Sequence, residues 1–166
     1  VKSKGIDLIF DPACEEVITA CDKDKIERII LNIISNSIKY IDGRGKILIR
    51  LIVENNCVVI SVKDTGIGIP KENLETIFEK FKQVDDTLTR KVEGSGIGLA
   101  LVKSLVELHD GEVYLEDVSE GSEFVVKLPN IKINEEVNNH NRVMDVESKP
   151  LVQKINIEFS DIYELY

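Results

Sequence analysis

The chain has 166 residues, one domain's length and enough to bury a core. Asp and Glu number 30 against 21 Lys and Arg, a formal charge of −9, so the surface repels phosphate backbones and anionic lipid heads, which argues against a duplex-binding or membrane-surface protein. No apolar run approaches the roughly 20 residues that span a bilayer, no signal peptide is expected at the start of this sequence, and the odd set Cys14, Cys21 and Cys57 forms no CxxC pair, so neither a disulfide framework nor a zinc site is expected.

In chain order, Ile6–Phe10 and Val17–Cys21 predict short strands. A helix follows to about Tyr40, capped by Asp22 or Asp24, with Ile26, Ile29, Ile30, Ile33 and Ile34 at helical spacing. Gly43 and Gly45 stop it. Lys46–Val53 and Cys57–Lys63 read as two strands joined through Asn55-Asn56, a hairpin turn. Pro70 opens a second helix over Lys71–Phe81, and residues 82–95 are polar and irregular. A third helix, Gly96–His109, ends at the Asp110-Gly111 turn, and Glu112–Asp117 and Ser122–Leu128 form a second hairpin. Residues 1–130 therefore predict an α+β domain: a two-layer sandwich whose mixed, mainly antiparallel sheet is covered on one face by three helices. Residues 131–150, rich in Asn and acids, read as a polar linker, and 151–166 as a C-terminal extension. In that extension Ile155, Ile157 and Phe159 alternate with polar residues, predicting one more strand at a sheet edge.

Three segments carry residues suited to chemistry. Asn32 and Asn36 lie four apart on the first helix with Lys39 three further on, one stripe beside the isoleucine face. Helix interiors disfavour Asn, so the pair is either a solvated edge or a set of neutral oxygen ligands for Mg²⁺ with Lys39 near a phosphate. Strand alternation puts Asp64 on the face of Val58, Ile60 and Val62, and a carboxylate aimed at a core layer must be paired or used for recognition. Gly66 and Gly68 follow it, either as an ordinary turn or as a wall that a flat ring can approach. Gly94, Gly96 and Gly98 precede and enter an apolar helix, whose free N–H groups and dipole favour phosphate oxygens. No βαβ unit with a following acid surrounds them, and no GKS or GKT occurs, so neither a dinucleotide fold nor a Walker site is expected.

In their order these segments carry a resemblance. DKIERIILNIISNSIKY resembles the N box of the sensor histidine kinases, DTGIGIP their first glycine box and IFEKFKQVD their phenylalanine box. GSGIGLALVKSLVELHDG resembles their second glycine box and SEGSEFVVKLP their closing strand. The resemblance covers residues 5–129 and implies the Bergerat ATP-binding fold, shared with gyrase and the mismatch-repair ATPases, binding ATP and Mg²⁺. It implies that Asn36 ligates Mg²⁺ with Asn32 assisting, that Lys39 and Tyr40 contact the nucleotide, and that Asp64 accepts the amine of adenine. Gly66 and Gly68 would flank the base, and Ile69 and Ser122 would also bind ATP. Phe78 and Phe81 would pack beneath a lid over residues 82–95, or simply in the core, and Arg90 and Lys91 would touch phosphate or be solvated. Gly94, Ser95, Gly96, Gly98 and Leu99 would form the hinge and phosphate-binding start of the third helix.

The implied activity is transfer of the γ-phosphoryl group of ATP to a histidine, then to an aspartate of a response regulator receiver domain. The accepting histidine is expected on a separate dimerisation domain, because His109 at a helix end and His140 in the polar stretch both read as structural or solvated. The opening at Val1 is expected to mark a piece of a longer protein. The unpaired cysteines and the resemblance lead to the expectation of a monomeric cytoplasmic domain, without direct membrane contact of its own, from a membrane-bound sensor kinase. Two rivals stand beside this reading. A hydrolase of the gyrase type would carry a Glu one turn before the metal-binding Asn, where this chain has Asn32. A nucleotide-gated interaction module would use the same site without chemistry.

Overall fold

A computed structural model describes residues 5–13, 16–74, 76–79 and 97–131. The elements are β1 (Ile6–Pro12), α1 (Lys23–Tyr40), β2 (Gly45–Glu54), β3 (Cys57–Asp64), α2 (Gly98–Glu107), β4 (Glu112–Glu116) and β5 (Ser122–Pro129). They form a five-stranded sheet in the order β1-β2-β3-β5-β4, with β1 parallel to β2 and the remaining pairs antiparallel. The parallel pair follows from α1, which supplies the crossover between β1 and β2.

Asp22 caps α1, its carboxylate accepting the Lys25 N–H at 3.1 Å and pairing with the Lys25 ammonium. The helix then lays Ile29, Ile33, Ile34 and Ile38 on the sheet, each at most 1% exposed. Opposite them stand Ile47, Val62 and Val126 from the sheet and Val102 and Val106 from α2, so two helices and one sheet face share a single core. Asn55 and Asn56, with φ of 48° and 60°, turn the β2–β3 hairpin through the two left-handed positions that its twist demands. Asp110 (φ 53°) and Gly111 end α2 as expected, with the Gly111 N–H on the Val106 carbonyl at 3.1 Å.

Three expectations are corrected. Residues 17–21 are irregular rather than a strand. Ala20 N–H reaches the Ile131 carbonyl at 2.9 Å and the Thr19 hydroxyl accepts the Ile131 N–H at 3.1 Å, contacts to one residue with no ladder to extend them, so alternating apolar residues alone build no strand there. Second, 71–81 contains no α-helix among the described residues. Lys71–Asn73 forms one 3-10 turn, and turns continue through the described positions to Glu79. The N–H groups of Asn73, Leu74, Thr76 and Glu79 each bond three residues back, while Ile77 is buried and Phe78 packs edge-on against Phe124 at 6.4 Å between ring centroids. Anchoring of these two side chains outweighs helical propensity. Among the described residues the sheet is therefore covered by two α-helices and a 3-10 turn, and the helix expected from Gly96 begins at Gly98.

The linker 131–150 beyond Ile131, the extension 151–166 and its expected strand lie outside the described residues, as do Cys14 and His140. Among the described residues no helix is long and apolar enough to cross a membrane.

Candidate functional site

Asp64 ends β3 with its carboxylate turned under the helical layer, 2% exposed. Three donors hold it. The Ser37 hydroxyl of α1 donates to Oδ2 at 2.9 Å, and the N–H groups of Gly66 and Ser122 donate to Oδ1 at 2.9 and 3.2 Å. Burial pushes the carboxyl above its ordinary range, and these three hydrogen bonds pull the other way. None of the three donors is a cation, so the charge is held by dipoles alone. Oδ2, with one donor, keeps the capacity to accept another hydrogen bond.

The glycines explain how backbone comes so close. A Cβ on Gly66 would stand 2.7 Å from the Tyr40 carbonyl oxygen, which also accepts the Ile67 N–H at 3.1 Å. The end of α1 is thus stitched to the turn after β3. Gly121 (φ +70°) is tighter still: a Cβ there would lie 1.8 Å from the Asp64 carbonyl oxygen. The room saved at Gly68 is likewise taken by backbone, the Gly121 carbonyl 3.0 Å from where its Cβ would be.

Ser37 and Gly121 were not singled out by sequence reasoning. Ser37 had a signal: it sits on the isoleucine stripe of α1, 1% exposed, and a hydroxyl there must find a partner. Gly121 had none beyond its place in a turn.

Asn32 and Asn36 are half-buried on α1. Asn32 Nδ2 donates to the Arg28 carbonyl at 2.8 Å, which leaves Oδ1 facing the start of α2. Among the described residues a Cβ on Gly98 would meet that Oδ1, at 3.1 Å. The amide oxygen and the free N–H groups of a helix start therefore look into the same space. Lys39 is half-buried and Tyr40 exposed one turn on, Ile69 and Leu99 pack partly buried against the core, and Ser122 is buried beside Asp64. Phe78 takes the core position against Phe124. Phe81, Arg90, Lys91, Gly94, Ser95 and Gly96 lie outside the described residues.

The donor set bears on a metal. Among the described residues no three His, Cys, Asp or Glu cluster to hold one. The amide oxygens of Asn32 and Asn36 are hard, neutral donors. They fit Mg²⁺, which keeps waters and phosphate oxygens as most of its ligands and needs few from protein.

His109 has both ring nitrogens engaged, Nδ1 with the Leu105 carbonyl at 2.8 Å and Nε2 with the Asp22 N–H at 3.2 Å.

The family model described as histidine kinase-, DNA gyrase B-, and HSP90-like ATPase matches residues 21–132. The circadian input-output histidine kinase CikA of Synechococcus elongatus is 39% identical over 109 residues, 65% of this chain and 14% of that one. The sensor histidine kinase WalK of Bacillus subtilis is 36% identical over 131 residues, 77% of this chain and 21% of that one. Among solved structures, full-length ShkA in complex with AMPPNP superposes with a TM-score of 0.69 at 28% identity, covering 79% of this chain and 27% of ShkA. The chain thus corresponds to a small part of each of these longer proteins.

Proposed function

Since the chain belongs to the histidine kinase-, DNA gyrase B- and HSP90-like ATPase family, we propose that it is the catalytic ATP-binding domain of a sensor histidine kinase. The observation that carries this is Asp64: a buried carboxylate held by three dipoles, with one oxygen able to accept the amine of adenine. From that anchor the phosphates run toward Asn32, Asn36 and the start of α2. Mg²⁺, when bound there, offsets charge on the phosphoryl oxygens, and Asn36 with Asn32 would hold it. The chain's own work is positioning: Asp64 fixes the base, the α2 N–H groups hold phosphate oxygens, and the γ-phosphoryl is presented outward. Transfer breaks its bond to the ADP oxygen and forms a bond to a histidine nitrogen of a dimerisation domain; the group then passes to an aspartate of a response regulator.

One feature favours transfer over hydrolysis, and a second disfavours transfer within the chain itself. Asn32, standing where a hydrolase carries its Glu, cannot take a proton from water, and its amide nitrogen is tied to Arg28. His109 has no free ring nitrogen with which to accept a phosphoryl group in cis. With radiolabelled ATP the chain alone is expected to hold no acid-labile label and to release phosphate very slowly, and adding a dimerisation domain that bears its histidine restores transfer in trans. Acid-labile label on His109 or His140 of the isolated chain would contradict this.

Replacing Asn36 by Ala is expected to weaken Mg²⁺–ATP by roughly tenfold or more, about 1.4 kcal/mol, and to leave adenosine within about twofold. Calorimetry with both ligands decides it; equal losses would remove Asn36 from the phosphate end.

A further inference from the structure

The helices α1 and α2 run antiparallel along one seam, and two contacts mark its ends. At one end the imidazole of His109, just past α2, meets the N-cap of α1. A carbonyl only accepts, so the ring nitrogen 2.8 Å from the Leu105 oxygen carries the hydrogen, and Nε2 is left bare to accept the Asp22 N–H at 3.2 Å. At the other end Asn32 Oδ1 faces Gly98. From Asp22 to Asn32 is about 15 Å of α1, and from Gly98 to His109 about 16 Å of chain at the helical rise. The spans match, so a slide of either helix that opens one contact opens the other.

We propose that His109 is a positioning residue for the nucleotide site. It pins the start of α1 to the end of α2, and so holds Asn32 and Asn36 at a fixed offset from the phosphate-facing start of α2. The bond also gives a partner to one of the N–H groups at the entry to α1 that the helix itself leaves unmatched. Without it, the register rests chiefly on apolar packing, and isoleucine ridges permit neighbouring registers that a directional hydrogen bond does not. Ser37 ties α1 itself to Asp64, and the Tyr40 carbonyl accepts the Ile67 N–H, so α1 stays with β3 and a slip along the seam falls on α2. The pin therefore acts on the phosphate end of the ligand and not on the base.

This rests on the nucleotide reading above, and the test separates the two. The whole chain is titrated with Mg²⁺–ATP and with adenosine, as wild type, His109→Leu and His109→Gln. Glutamine places an amide oxygen near the position of Nε2; leucine offers no acceptor. The Leu variant is expected to lose ATP affinity roughly fivefold to tenfold, with adenosine within about twofold, and the Gln variant to recover most of the loss. Unchanged ATP binding by His109→Leu, or parallel loss of both ligands, overturns the pin. Failure of the wild type to bind either ligand overturns both readings. Should His109→Leu not fold, His109→Asn, which keeps the contact to Leu105 but cannot reach Asp22, answers the same comparison.

Discussion

Replacing Gly121 by alanine is expected to cost about 3 kcal/mol or more and, with it, most nucleotide binding. The added Cβ would sit 1.8 Å from the Asp64 carbonyl oxygen and 2.8 Å from its carbon, so backbone must move, and the φ of +70° is strained for any residue with a Cβ. The movement falls on the residue pair that aims the Ser122 N–H at Asp64. Gly43 is the control: its φ is +74°, but nothing lies within 4 Å of where a Cβ would be. Alanine there is expected to cost about 1 kcal/mol and to leave binding intact. Denaturant midpoints of the two variants settle the matter. A Gly121→Ala loss no greater than that of Gly43→Ala would mean that the close approach contributes nothing.

The second large effect separates stability from function at one atom. Asp64→Asn keeps an oxygen to accept the Gly66 and Ser122 N–H groups and turns an amide N–H toward Ser37, whose hydroxyl can accept it. Burial no longer opposes a charge, so the fold is expected to hold or gain about 1 kcal/mol at neutral pH. A ligand amine, however, then meets a donor instead of an acceptor, and both ATP and adenosine are expected to weaken by about 100-fold. The pH dependence follows from the raised carboxyl. Such a group binds its proton more tightly folded than unfolded, so the wild type gains stability below the ordinary carboxylate range and loses that gain as pH rises through the native value. The advantage of Asn over Asp is therefore greatest at neutral pH and shrinks on acidification. Melting curves at several pH values, paired with calorimetry, test it. An Asn variant that bound adenosine as well as the wild type would remove Asp64 from the base.

The helix α1, a cap at Asp22 or Asp24, the Asn55-Asn56 hairpin and the inward aim of Asp64 were legible in the sequence because each rests on local periodicity or turn chemistry; the structure selects Asp22. The 3-10 turn after Pro70 was not, since burial of Ile77 and the Phe78–Phe124 contact are tertiary facts. Val17–Cys21 alternates like a strand, yet strands are made by partners, and the hydrogen bonds of Thr19 and Ala20 all go to the one residue Ile131. In the site, Asn32 and Gly98 announced themselves as a misplaced amide and a helix-start glycine, while their facing one another is a product of helix packing. Gly121 and the His109–Asp22 bond join residues 57 and 87 positions from their partners, beyond the reach of any local pattern.

The partners of Asp64 reach it from 27, 2 and 58 residues away in the chain. Ser122 opens β5, the strand that must slot between β3 and β4, so the carboxylate receives its full set of donors only when that insertion is complete. A half-folded chain lacking β5 has no such pocket to offer. Whatever binds through Asp64 therefore recognises the finished fold alone, and at a hundred times its dissociation constant it adds about 2.7 kcal/mol against unfolding. Under the ATP reading, nucleotide supply governs the lifetime of the domain as well as its chemistry: a cell short of ATP exposes more of it, more often, to proteases.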